Sequence, residues 1–167
     1  MKWLSRVWLA ASLVLAALPG AAEESDPLPV PAGARGKAVA LYNEGVKVML
    51  DKRYAEAQRL FEQALDLDEG IAEAHNNLAF SLRMQSRGNF ARSLKHYQRA
   101  IEINPRLAQA YMYRGVLYSQ MGDVARARAD LERLRVLDKS LAAKLEGAIA
   151  QASRDERDGL APQLGGY

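Results

Sequence analysis

The sequence predicts an all-α protein, an α-solenoid of three helix-turn-helix repeats closed by a C-terminal capping helix. Three observations point there. From Lys37 to about Ala152 the only proline is Pro105, and apolar residues recur at helical spacing throughout. Small and large residues return in register every 34 to 36 residues. Leu141, Leu145 and Ile149 then form one more apolar stripe after the third copy, suited to covering its end.

The register can be checked by subtraction. Ala38, Ala72 and Ala108 match, as do Leu41, His75 and Tyr111, and then Gly45, Ala79 and Gly115, each set spaced 34 and then 36. Further along, Tyr54, Phe90 and Val124 match, followed by Ala57, Ser93 and Ala127, by Phe61, Tyr97 and Leu131, and by Ala64, Ala100 and Leu134, spaced 36 and then 34. Two extra residues therefore lie between Ala79 and Phe90, where Gln85-Ser86-Arg87-Gly88 reads as a turn. Lengthening a turn costs little, so the insertion fits the register. Small residues such as Gly45, Ala79 and Ala100 let helices approach closely, and Phe61, Tyr97 and Leu131 fill the spaces between neighbours. A lone helix pair cannot bury such a face, whereas stacked pairs can.

These residues resemble the tetratricopeptide repeat, whose period is 34 residues. The third copy carries Tyr111 in place of the usual tryptophan, then Gly115, Tyr118 and Ala127, and the second closes with Tyr97, Ala100 and Pro105. Ser93 stands where alanine is usual, Leu131 and Leu134 replace an aromatic and a small residue, and no proline follows the first or third copy. The resemblance covers residues 38 to about 141 and places the repeats at about 38–71, 72–107 and 108–141. A capping helix is expected over 140–152 with Ser140 as its N-cap, and residues 153–167 read as a loose tail.

Ahead of the repeats, Met1 to Arg6 carries two positive charges, Val7 to Leu18 carries none, and Pro19-Gly20-Ala21-Ala22 supplies a break and small residues. Basic, apolar and small-residue segments in that order are those of a signal peptide, with cleavage expected after Ala22. The apolar run is too short to span a membrane, which takes about 20 residues. Periplasmic or secreted localisation is therefore expected, with no stable membrane span in the mature chain; retention of the segment as an anchor is the alternative. Residues 23–36 hold three prolines and two glycines and read as a flexible linker before a repeat domain over 37–152.

The sequence contains no cysteine, so the fold must stand on its apolar core without disulfides. The two histidines, His75 and His96, are 21 residues apart with no carboxylates at ligand spacing, and no metal site is expected. His75 falls at a helix-packing position, whereas His96 reads as a surface residue. Serines such as Ser81 and Ser119 lie outside any Gly-x-Ser-x-Gly, and no phosphate-binding loop occurs. No catalytic residue, cofactor or enzyme activity is expected.

Charge is unevenly spread. Residues 23–82 hold 6 basic and 11 acidic side chains, and residues 83–139 hold 12 basic and 5 acidic. Solvated helix faces, paired locally as Arg126 with Asp130, account for most of this, and orientation of a charged partner is the functional alternative. The basic residues are scattered over several helices and the mature chain carries a net charge of only +1, so nucleic acid is not an expected partner.

What the resemblance implies about function rests on the first helix of each pair, which lines the concave side in this family. The corresponding positions are Val39, Tyr42, Val46 and Met49, then Glu73, Asn76, Phe80 and Arg83, then Gln109, Met112, Val116 and Ser119. From these, Tyr42, Val46, Met49, Asn76, Phe80, Arg83, Met112 and Val116 are the candidate peptide-binding groove, largely apolar, with Asn76 and Arg83 able to hold a main chain or carboxylate. Phe80 is expected to point away from the packing face. Some members grip a carboxylate through paired lysines and arginines; Tyr42, Val46, Gln109 and Tyr113 stand there, so that clamp is not expected. Packing of the same side chains against the linker or capping helix is the alternative. The expected function is an exported adaptor binding a peptide or helix of another protein. The runner-up is a structural, self-associating component of a cell-envelope assembly with its groove unused, which leaves a homo-oligomer open, and a lipid or small-ligand carrier is a third class.

Overall fold

A computed structural model of the chain describes residues 28–29 and 33–159. The expected signal peptide and its cleavage point, most of the linker and the last eight residues lie outside the described residues. Among the described residues seven α-helices follow one another: α1 Ala34–Leu50, α2 Tyr54–Leu67, α3 Ala72–Gln85, α4 Phe90–Ile103, α5 Ala108–Gln120, α6 Val124–Leu137 and α7 Lys139–Arg157. No strand occurs among the described residues.

Each break between helices has a local cause. Asn104, preceding Pro105, is barred from helical backbone by the proline ring and lies extended at φ −129°, which ends α4. The two-residue insertion forms a 3₁₀ turn over Arg87–Asn89, where Ser86 Oγ accepts from Gly88 N–H at 3.0 Å and Asn89 Nδ2 donates to the Leu82 carbonyl at 3.2 Å. Between α5 and α6, Gly122 supplies a left-handed φ of 78° and Asp123 accepts from Arg126 N–H at 3.0 Å, capping α6.

Helices pair α1 with α2, α3 with α4 and α5 with α6, and the pairs stack through α2 on α3 and α4 on α5. The first helices also approach along the array, α1 with α3 and α3 with α5, whereas the backbones of α2 and α4, and of α4 and α6, stand farther apart, with Arg92 Nη2 and Glu62 Oε1 bridging α4 to α2 at 3.2 Å on the surface. One side is thus drawn together and the other splayed, which curves the solenoid with α1, α3 and α5 on its inner side. The described chain is an α-solenoid of three repeats, and α7 packs on both α5 and α6 to cover the open end.

The period marks where helices touch most closely. A Cβ added at Gly45 would lie 2.6 Å from the ring of Phe61, and one at Gly115 would lie 2.5 Å from a methyl of Leu145 on α7. Glycine is required at both crossings because the facing side chains are themselves fully buried. Ala57, Ala64, Ala79, Ala100 and Ala127 are fully buried at the equivalent contacts.

Three expectations change at the edges and surfaces. α1 begins at Ala34, within the expected linker, behind a Gly33 with φ 87°. The capping helix is longer than 140–152 and its N-cap is Asp138, not Ser140: the Asp138 carboxylate accepts from the N–H groups of Ser140 and Leu141 at 2.8 and 3.0 Å. Its last turn reaches into the expected tail as far as Arg157, where Gln151 bonds Asp155 and Arg154 bonds Gln151 along the helix. Arg126 does not pair with Asp130; it meets Asp123 at 2.7 Å, while Asp130 turns inward to Arg114.

Candidate functional site

The inner side collects the expected groove residues, and it is not an open apolar trough. Tyr42 is 1% exposed and Phe80 3% exposed, and Val46, Met49, Asn76, Met112 and Val116 are also buried, leaving Arg83 half-buried with Glu73 and Gln109. Ten of the fourteen residues of α3 are buried, which makes the central inner helix the core of the array.

Size explains the inversion of Phe80. Its ring lies 5.2 Å from that of Tyr113 on α5 and 6.0 Å from that of Tyr54 on α2, so it wedges between neighbouring repeats instead of pointing away from them. The Arg83 guanidinium sits 5.2 Å from the same ring and Nη1 donates to Gln120 Oε1 at 3.3 Å. Tyr42 packs 5.8 Å from Phe61, and its hydroxyl accepts from Asn77 Nδ2 at 3.2 Å. Along this side Asn76 Oδ1, Arg83 Nε and Ser119 Oγ are buried without a hydrogen-bond partner. Such groups cost about 1–3 kcal/mol each.

Asn43 carries a contact that its sequence position did not announce. Its Oδ1 accepts from Leu28 N–H at 2.7 Å and its Nδ2 donates to the Leu28 carbonyl at 2.7 Å, while the Leu28 side chain packs on the core. Part of the expected flexible linker is therefore held against α1. A signal was present: Asn77 stands 34 residues after Asn43, and asparagine is a poor helix former to meet twice at one register inside helices.

The two histidines meet across the pair α3 and α4. Their rings stack with centroids 5.3 Å apart, and the two Nδ1 atoms are 3.0 Å apart. His75 Nε2 donates to the Glu69 carbonyl at 3.2 Å, so its Nδ1 is the acceptor and His96 Nδ1 the donor. His96 is thus a half-buried partner of His75 and not a free surface side chain. Among the described residues no group of three or more His, Asp or Glu side chains could hold a metal ion.

With both rings neutral the contact is matched donor to acceptor, whereas a proton on each ring would set two N–H donors and two positive charges against one another. Burial lowers the pKa of both, and His96, facing His75 and Arg92 as well, is brought down from 6.5 to about 4. Because the folded values lie below the unfolded one, stability is complete above about pH 6.5 and is lost as pH falls toward 4. Allowing for the solvent that reaches His96, about 1–2 kcal/mol should disappear between pH 7.5 and 5. Urea unfolding at the two pH values, for the wild type and His96→Gln, checks this; equal losses in both proteins would remove the pair from the explanation.

Another buried polar cluster joins α5 to α6. Arg114 donates from Nε and Nη2 to the two carboxylate oxygens of Asp130 at 3.0 and 2.6 Å, and its Nη1 reaches Gln98 on α4. Its guanidinium lies 5.6 Å from the Tyr111 ring and 5.9 Å from that of Tyr118. Burial raises the Asp130 pKa, against the opposing pull of Arg114.

Three stacked helix pairs with glycine and alanine at their crossings, curved around an inner face, make an α-solenoid of tetratricopeptide-like repeats. The family model described as TPR repeat matches residues 84–122. Among curated proteins, the chain is 29% identical over 102 residues to the photosystem I assembly protein Ycf3 of Cyanophora paradoxa, covering 60% of this chain and 59% of that protein. It is 31% identical over 98 residues to the Ycf3 of Synechococcus sp. (strain CC9605), covering 58% and 57%. The chain thus spans less than two thirds of the length of these relatives. Among solved structures, the first TPR of Spaghetti (RPAP3) bound to an HSP90 peptide superimposes with a TM-score of 0.63 at 22% identity, covering 72% of this chain and 94% of that one. The Yersinia enterocolitica type III secretion chaperone SycD in complex with a peptide of the translocator YopD gives 0.61 at 15% identity, covering 70% and 92%. At these identities the likeness establishes the fold.

Proposed function

We propose that the chain is an exported, non-catalytic adaptor that holds an extended segment of another protein against the inner side of α1, α3 and α5. The observation that carries this reading is the Asn43 carboxamide, which holds both main-chain groups of Leu28 at 2.7 Å. A side chain that satisfies one extended residue can satisfy another of the same geometry. The half-buried side chains of Glu73, Arg83 and Gln109 continue the same side and offer polar groups to a further stretch of main chain. Relatives that are photosystem I assembly proteins, and solenoids solved with peptides bound, support a role in holding a subunit while a complex is built.

Export is supported by the basic, apolar and small-residue order of residues 1–22. Intact-mass measurement of the cellular protein should give a chain beginning at Glu23; a mass that includes Met1 would contradict it. A second reading, a structural or self-associating component with its inner side unused, draws on the depth at which Tyr42, Phe80 and Met112 lie.

The half-buried rim separates the two readings without disturbing the core. Glu73→Lys combined with Gln109→Glu should reduce capture of a partner from the envelope fraction at least tenfold at unchanged helicity, while Lys95→Glu on the outer helix α4 should not. Equal capture by all three folded proteins would favour the structural reading.

A further inference from the structure

We propose that Asn43 reads the main chain of an extended, proline-flanked residue, that the chain's own segment around Leu28 is its resident occupant, and that a partner segment gains the inner side by displacing it. The inference rests on the reading of that side as a segment-binding face.

One carboxamide bonding both the N–H and the C=O of a single residue requires those groups to point the same way, as they do in extended backbone. The sequence around Leu28 is built for this. Leu28 lies between Pro27 and Pro29, and a residue before proline is restricted to extended or polyproline backbone. Prolines carry no N–H, so Leu28 is the sole amide donor within 27–29. The segment therefore reaches Asn43 with little conformational freedom left to lose.

Attachment matters as much as geometry. Only a few residues separate Leu28 from the start of α1 at Ala34, so docking is intramolecular, with an effective concentration in the millimolar range for a short tether. Two neutral hydrogen bonds and one partly buried leucine make a weak contact between separate molecules. Attached, the same contact covers the site yet yields to a partner segment that makes further contacts along α3 and α5. Such a partner must offer an extended main chain with an apolar side chain where Leu28 now sits. Its apparent affinity is reduced by the fraction of molecules whose own segment is docked.

The test uses the full chain and a fluorescein-labelled synthetic peptide of residues 23–33. Removing the resident apolar side chain in Leu28→Asp should raise affinity for the labelled peptide about tenfold over wild type, and adding Asn43→Ala to that variant should abolish the gain. In the wild type the Leu28 amide should exchange with deuterium at least tenfold more slowly than in Asn43→Ala, with circular dichroism confirming equal helicity. Equal exchange in those two proteins overturns the proposal, and so does equal peptide binding by the wild type and Leu28→Asp. If either occurs while partner capture still depends on Glu73 and Gln109, the resident-occupant inference fails and the adaptor reading stands. If both expected results appear but the rim variants capture as the wild type does, the adaptor reading is the one that fails.

Discussion

Asp130→Ala is expected to lower the unfolding free energy by about 3–5 kcal/mol, because it strands the Arg114 guanidinium without its carboxylate in a largely buried site. The pair closes the α5–α6 crossing with two near-parallel hydrogen bonds, and Arg114 also reaches Gln98 on α4, so one carboxylate supports three helices. A solenoid of this length has about 5–15 kcal/mol in total, and the melting temperature should fall by roughly 10 °C or more. Glu132→Ala, two residues away on the exposed face, should change stability by less than about 0.5 kcal/mol. Thermal and urea unfolding of both variants would show the contrast; similar small effects would mean that Arg114 finds another partner or water at no cost.

Phe80→Glu should have an effect at least as large and should leave little folded protein. The substitution removes an aromatic side chain that is 3% exposed and places an unpaired carboxylate between Tyr54 and Tyr113. Truncating a buried phenylalanine alone costs about 3–5 kcal/mol, and the buried charge adds to that. Phe80→Leu, which keeps the site apolar, should retain the helical spectrum with a lowered midpoint. A cooperative, wild-type-like melt for Phe80→Glu would show that the ring is free of the packing described for it.

That result also marks where sequence reasoning reached and where it stopped. The period located the helices closely: the matched residues Tyr54, Phe90 and Val124 are the first residues of α2, α4 and α6, and Ala72 and Ala108 open α3 and α5. It worked because close crossings admit only small residues, and Gly45 against Phe61 shows how little room there is. It also identified the inner side. It could not say whether that side was open, because openness depends on how far Phe80 and Tyr113 reach across a repeat boundary, and spacing within one helix carries no such distance. The same limit explains the charges. Local spacing favoured Arg126 with Asp130, whereas the observed partner of Asp130, Arg114, lies 16 residues away on the facing helix. His96 likewise read as a surface residue until α3 and α4 brought His75 to it. Asn43 was legible in principle, through its repetition as Asn77 one period later, but its contact with Leu28 depends on a linker whose composition signals only the absence of a helix.

The central claim is that the inner side holds an extended segment of another protein, and site-specific photo-crosslinking in the producing cell tests it most directly. A benzophenone side chain at Gln109, half-buried on the inner helix α5, is compared with one at Lys95, exposed on the outer helix α4. The account predicts that irradiation joins position 109, and not position 95, to one defined segment of a partner, identified by mass spectrometry of the joined peptides. No joined product at 109, or the same product from both positions, would contradict it.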